Sequence, residues 1–172
     1  MSRASVLHLA DNASAATTVT VGMGECRLAG AATLLRTVGL GSCLAVIIFA
    51  PGQQLAALAH CLLPMRTDDD GEPARYVDSA VPHLLDVLRA AGAVEPFCAT
   101  LVGGASMFPG LTRDVGRDIA GANIAAARAM LSDSAVPVRS EDVGGHVGRS
   151  LIADAVTQRV IVHTLRDGDR CL

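Results

Sequence analysis

Two apolar runs rich in strand-forming residues, at 44–49 and 55–63, lie on either side of Pro51-Gly52, and the second stops at Pro64. Apolar runs of this length bounded by turn residues predict an antiparallel β-hairpin. Residues 18–21 and 32–38 read as strands before it. After it, Val77, Ala80, Val81, Leu84, Leu85, Leu88 and Ala91 recur at helical spacing, with Gly92 as the stop. A short apolar strand at 97–102 then runs into Gly103-Gly104. A second, Ala-rich helix is predicted over 118–131, with Ile119, Ile124, Ala127 and Leu131 facing inward. Residues 136–138, 149–155 and 159–164 read as the last strands. Strands early and late, with two helices between them, predict an α+β fold rather than a doubly wound sheet. The expected architecture is a layered sandwich of mixed, largely antiparallel β-sheets flanked by two main helices.

At 172 residues there is room for one core, so residues 17–172 are expected to form one domain. Residues 1–16 are small and polar and read as a flexible extension. Aromatic residues are only 2% of the chain and the net charge is −3, so it offers neither a base-stacking surface nor a phosphate-neutralising block. Nucleic acid is therefore not an expected partner. All 14 basic residues are Arg. Without Lys there is no Schiff-base lysine, no Walker-type phosphate loop and no Ser-Lys dyad. Five cysteines, an odd number with no close C-x-x-C pair, suit a reducing compartment better than a disulfide framework. The longest apolar run is far short of the ~20 residues that span a bilayer. These features predict a cytoplasmic protein with no membrane insertion. Asp68-Asp69-Asp70-Gly71 lacks the spacing of a calcium loop and reads as a solvated turn.

Chemistry is expected at Gly39-Leu40-Gly41-Ser42-Cys43, between two predicted strands. Glycines let the backbone turn sharply there and leave N–H groups free to receive an oxyanion. A cysteine at the end of the turn presents its sulfur at an element boundary, where a nucleophilic thiol has to sit. Other templates fail at this turn. Leu44 stands where a dinucleotide fingerprint needs its third glycine, as Arg27 does after Gly22-Met23-Gly24, and Leu40 replaces the first glycine of a Ser elbow. His60 lies on the second strand of the hairpin, whose far end returns to the Cys43 turn. Thr37, six residues before Cys43, is placed to orient the imidazole. Cys43, His60 and Thr37 thus supply a nucleophile, a base and an orienting group. Spacing alone leaves another reading open, because free cysteine is among the most buried residue types and His60 also fits a hydrogen-bonded core histidine. A metal site at Cys43, His60 and Cys61 is disfavoured, since adjacent His60 and Cys61 point to opposite faces of a strand.

At this turn the chain resembles the chemoreceptor glutamine deamidase family, CheD. Leu40-Gly41-Ser42-Cys43 before an apolar strand is similar to the family's nucleophile motif. Its histidine, seventeen residues on, falls on His60 in Ala59-His60-Cys61-Leu62-Leu63-Pro64, and its threonine falls on Thr37. Gly103-Gly104-Ala105-Ser106-Met107-Phe108 is similar to its Gly-Gly-Ala loop. Asp142-Val143-Gly144-Gly145 with Gly148-Arg149 is similar to its C-terminal segment. Where the family carries Ile-Gly-Glu-Arg-Asn, this chain has Ile119-Ala120-Gly121-Ala122-Asn123, without the charged pair.

The resemblance implies catalytic Cys43, His60 and Thr37, and substrate contacts at Gly41, Ser42, Gly103 and Gly104. It implies hydrolysis of receptor glutamine side chains through a thioester, with no metal or organic cofactor. The implied partners are the cytoplasmic domains of methyl-accepting chemotaxis receptors. A CheC-type phosphatase is a further implied partner, and regulation of that enzyme is the alternative function.

Overall fold

The computed structural model describes residues 16–67, 71–107 and 118–172. The expected extension, apart from Ala16, and the acidic turn at Asp68 to Asp70 lie outside the described residues. The strands are β1 (Thr17–Thr20), β2 (Cys26–Ala29), β3 (Thr33–Leu40), β4 (Leu44–Ala50), β5 (Leu55–Cys61), β6 (Cys98–Gly103), β7 (Val138–Val143), β8 (Arg149–Asp154), β9 (Val160–Thr164) and β10 (Gly168–Cys171). The helices are α1 (Val77–Ala90), between β5 and β6, and α2 (Ile119–Asp133), between β6 and β7. One sheet has the order β1-β3-β8-β9-β10, the other β2-β5-β4-β6-β7. Pairing is antiparallel except for β1 with β3 and β6 with β7. This is the expected α+β sandwich.

The predicted hairpin is the middle of the second sheet. β4 pairs with β5 from Leu44 opposite Cys61 to Ala50 opposite Leu55. Pro51–Gln53 forms a single 3-10 turn, and Gln54 takes a left-handed backbone (φ 53°) that completes the reversal. Every residue of β4 is buried. Side chains alternate across a strand, so Leu44, Val46, Ile48 and Ala50 enter a core shared with the helices, while Ala45, Ile47 and Phe49 enter a core between the sheets. Each Val, Leu, Ile or Phe removed from water in this way contributes about 1.5–3 kcal/mol. β4 therefore belongs to two cores at once and fixes the distance between three layers.

The structure differs from expectation in the outer parts. β2 and β10 were not foreseen, and β7 runs over Val138–Val143 rather than residues 136–138. Both helices pack on the β2-β5-β4-β6-β7 sheet, through β2, β4, β5 and β7, so the layers run helices, sheet, sheet. The outer face of the other sheet carries exposed Arg36 and Val38. On α2 the buried residues are Ala120, Asn123, Ala127 and Leu131. Ile119 and Ile124 are only half-buried. Asp118 caps this helix, its carboxylate accepting the Gly121 N–H at 3.0 Å, and that start sets the phase that turns Asn123 inward.

Candidate active site

The chain leaves one sheet at the end of β3 and enters the other at the start of β4, and Gly39 to Cys43 is the corner where it crosses. The register of β3 against β8 shifts between Thr37 and Leu40, Gly39 has φ +74°, and the Gly41 N–H bonds back to the Gly39 carbonyl at 3.0 Å. A left-handed residue and a bulge are what a strand needs to change sheets within so few residues. Ser42 is exposed at the corner, and Gly41 and Cys43 are half-buried.

Two backbone bonds hold this corner from below, and a third holds the strand end beneath it. Gly104 N–H donates to the Cys43 carbonyl at 2.8 Å, Ala105 N–H to the Gly41 carbonyl at 2.7 Å, and Gly144 N–H to the Gly103 carbonyl at 2.9 Å. Gly103 has φ +118°, and a Cβ there would stand 2.4 Å from the Cys43 carbonyl oxygen, so no side chain fits. Gly103 and Gly104 are both buried against the Cys43 backbone. The Gly144-Gly145 segment is held in turn by Arg149, which donates to Asp142 at 3.0 Å and to the carbonyls of Val147 and Gly144 at 3.2 and 2.8 Å. The loop and the C-terminal segment singled out in the sequence thus converge under one turn. Phe108, the last residue of that loop segment, lies outside the described residues.

Thr37 and His60 are brought together across the two sheets. Thr37 Oγ1 lies 2.8 Å from His60 Nδ1 and donates to the Val21 carbonyl at 2.7 Å. A hydroxyl has one proton and a carbonyl only accepts, so the Thr37 proton goes to Val21. Thr37 can then only accept from His60, which makes Nδ1 the protonated nitrogen and leaves the lone pair on Nε2. That Nε2 is buried and has no hydrogen-bond partner among the described residues. Burial pushes the His60 pKa below its ordinary 6.5, so the imidazole is held neutral.

Cys43 reaches the same layer. His60 is opposite Ala45 in the β4–β5 register, and Cys43 is two residues before Ala45, so its side chain lies on the same face, one diagonal step away. It packs against the core between the sheets. No hydrogen bond joins its sulfur to His60 among the described residues. Burial raises the Cys43 pKa above its ordinary 9.0, and a hydrogen bond from its own backbone N–H works in the other direction. Cys61 points to the opposite face, into the helix-side core, so His60 and Cys61 do not converge.

Asn123 was missed by the sequence reading because it interrupts the apolar face of α2. Its Nδ2 donates to the Ser42 carbonyl at 2.9 Å and to the Leu62 carbonyl at 3.1 Å. The two residues without the family's charges lie next to it, Gly121 half-buried and Ala122 exposed. A cavity of about 440 Å³ is lined by Asp142, His146, Arg149 and Arg170 among others. None of Thr37, Cys43 or His60 lines it, and three of its charges are joined to one another, with Asp142 paired to both Arg149 and Arg170.

Comparison with known proteins supplies an independent view. The family model described as CheD chemotactic sensory transduction matches residues 62–164. A Clostridium botulinum protein named "Probable chemoreceptor glutamine deamidase CheD" is 34% identical over 147 residues, 84% of this chain and 91% of its own length. An Archaeoglobus fulgidus protein of the same name is 34% identical over 152 residues, 88% and 96%. The "Chemoreceptor glutamine deamidase CheD" of Halalkalibacterium halodurans is 31% identical over 156 residues, 88% and 96%. Matches this long in a chain of 172 residues have to include the stretch from Thr37 to His60, which precedes the part matched by the family model.

Proposed function

Because this chain belongs to the CheD family, we propose that it deamidates glutamine side chains on the cytoplasmic domains of chemoreceptors, releasing ammonia and leaving glutamate. The observation that carries the chemistry is the Thr37–His60 bond, which leaves a buried Nε2, without a partner among the described residues, on the face that Cys43 shares. A buried acceptor without a partner is costly, and a base waiting for a proton is a reason to keep one.

In the resting site both groups are neutral. The glutamine carboxamide enters beside Cys43, and the sulfur attacks its carbon as Nε2 takes the thiol proton. The carbonyl oxygen becomes an oxyanion, which backbone N–H groups of the Gly41 to Cys43 corner receive. His60 then gives its proton to the departing nitrogen, and ammonia leaves a thioester. Water attacks the thioester while Nε2 takes its proton, and return of that proton to sulfur frees glutamate and restores the thiol. Thr37 keeps the ring in the right tautomer throughout. A loose Cys43–His60 pair that tightens with substrate bound is common in free enzymes.

The pKa directions set the pH dependence. The working site holds one proton between sulfur and imidazole. It fails in acid when His60 gains a second, and in alkali when the thiol loses the first. With the His60 pKa lowered and the Cys43 pKa raised, the acid limb of kcat/KM is expected below 6.5 and the alkaline limb above 9.0. A pH–rate profile with a flat stretch between those values is the expected result. An acid limb above 6.5 would contradict a buried neutral base.

Incubating the protein with receptor cytoplasmic domains tests the function itself. Each modified glutamine should gain about one dalton as ammonia appears. Receptor fragments in place of that gain would mean a peptidase. No gain, together with undiminished stimulation of a CheC-type phosphatase by Cys43→Ala, would mean a regulator. The setting proposed is the cytoplasm. All five cysteines are free, and among the described residues no helix is long and apolar enough to cross a membrane.

A further inference from the structure

Asn123 is the only polar residue on the buried face of α2. Both of its hydrogen-bond partners are carbonyl oxygens, which accept and never donate, so the NH₂ group must face them. Its Oδ1 is consequently left in the interior, buried and with no partner among the described residues. The two donated bonds span the site. One holds the residue before Cys43, the other the second residue after His60.

The first bond has a geometric consequence. In a planar trans peptide the carbonyl of one residue and the N–H of the next point in opposite directions. With the Ser42 carbonyl drawn toward α2, the Cys43 N–H is turned away from the helix. As the amide of the residue that carries the sulfur, it opens close beside that sulfur. That is where the carbonyl oxygen of an amide attacked by the sulfur has to sit. We propose that Asn123 is the positioning residue of the oxyanion site: by gripping the Ser42 carbonyl it aims the Cys43 N–H at the developing negative charge. The inference rests on the deamidase reading and adds to it how the corner peptide is kept in register. Few side chains could replace Asn here. A hydroxyl donates one bond rather than two, and a carboxylate would set negative charge against two carbonyls.

Two reactions of the same sulfur separate this role from simple support of the fold. Amide hydrolysis passes through an oxyanion. Alkylation by iodoacetamide is a displacement at saturated carbon and forms none, so it reports only thiol access and His60. For Asn123→Ala, kcat for ammonia release is expected to fall by about 10- to 100-fold, since losing one oxyanion donor altogether is worth about 10²–10³. KM and the rate of Cys43 alkylation should each stay within about threefold of wild type. Leu131→Ala, two turns further along the same buried face, is the control for damage to α2 and should leave kcat unchanged. Asn123→Ser, read in the same way, serves if the alanine variant does not fold.

Alkylation falling in step with kcat, an unchanged kcat, an equal loss in Leu131→Ala, or failure of both Asn123 variants to fold would each overturn the proposal. If wild type itself releases no ammonia from receptor domains, the deamidase reading fails and this inference with it. If wild type is active and Asn123→Ala matches it, only the inference fails.

Discussion

Replacing Cys43 with alanine is expected to bring ammonia release below detection while the chain stays folded. The side chain is half-buried, and its sulfur makes no hydrogen bond to another described residue, so its loss should cost about 1 kcal/mol or less. The neighbouring thiol, Cys61, cannot substitute. Cys61 is opposite Leu44, close along the strand, yet it points into the helix-side core, where burial pushes its pKa far above the usual thiol range. A fully protonated, sealed thiol is a poor nucleophile. Ammonia release and a thermal melt, run on the same preparation, check both halves of the expectation. Release at the wild-type rate would remove Cys43 from the chemistry.

For His60→Ala the expected loss in kcat is about 10²–10⁴, equivalent to about 3–5 kcal/mol of transition-state stabilisation. Unlike the Asn123 variants, this one should slow iodoacetamide alkylation as well, because the thiol loses the base that accepts its proton. His60 is only 1% exposed, so truncation also leaves a cavity, and a stability loss of about 2–3 kcal/mol is expected. His60→Gln fills more of that space without restoring a base. It should recover stability but not rate. Recovery of rate by glutamine would mean that the imidazole only packs.

Much of this was legible in the sequence, and the parts that were not share a cause. The hairpin could be read because both of its strands are apolar over their whole length and a Pro-Gly pair marks the turn. The Gly39 to Cys43 corner could be read because its glycines fail every phosphate-binding template and leave Cys43 at an element boundary. β2 and β10 could not, since Cys26-Arg27-Leu28-Ala29 and Gly168-Asp169-Arg170-Cys171 are short edge strands held by their neighbours' backbones. β7 was placed too early for a similar reason. Arg139 and Glu141 make an edge strand resemble a loop.

Within the site, spacing suggested Thr37 but gave no hint that it arrives from the opposite sheet. Nor could spacing show that Val21 takes its proton and so decides the tautomer of His60. Asn123 was named only as the end of a segment compared with the family, with no role given to it. An apolar periodicity search discards a polar residue on an inward face, and here that residue holds two backbone carbonyls.

Cys43 and His60 sit at the ends of β4 and β5, strands enclosed on both faces, and this bears on how activity can be lost. Backbone amides in β4 and β5 can meet solvent deuterium only when whole layers separate, because each strand belongs to both interiors. Fraying of the edge strands leaves that inner ladder closed. Heat or denaturant should therefore extinguish turnover in the same transition that dissolves the tertiary structure, with no inactive folded form preceding it.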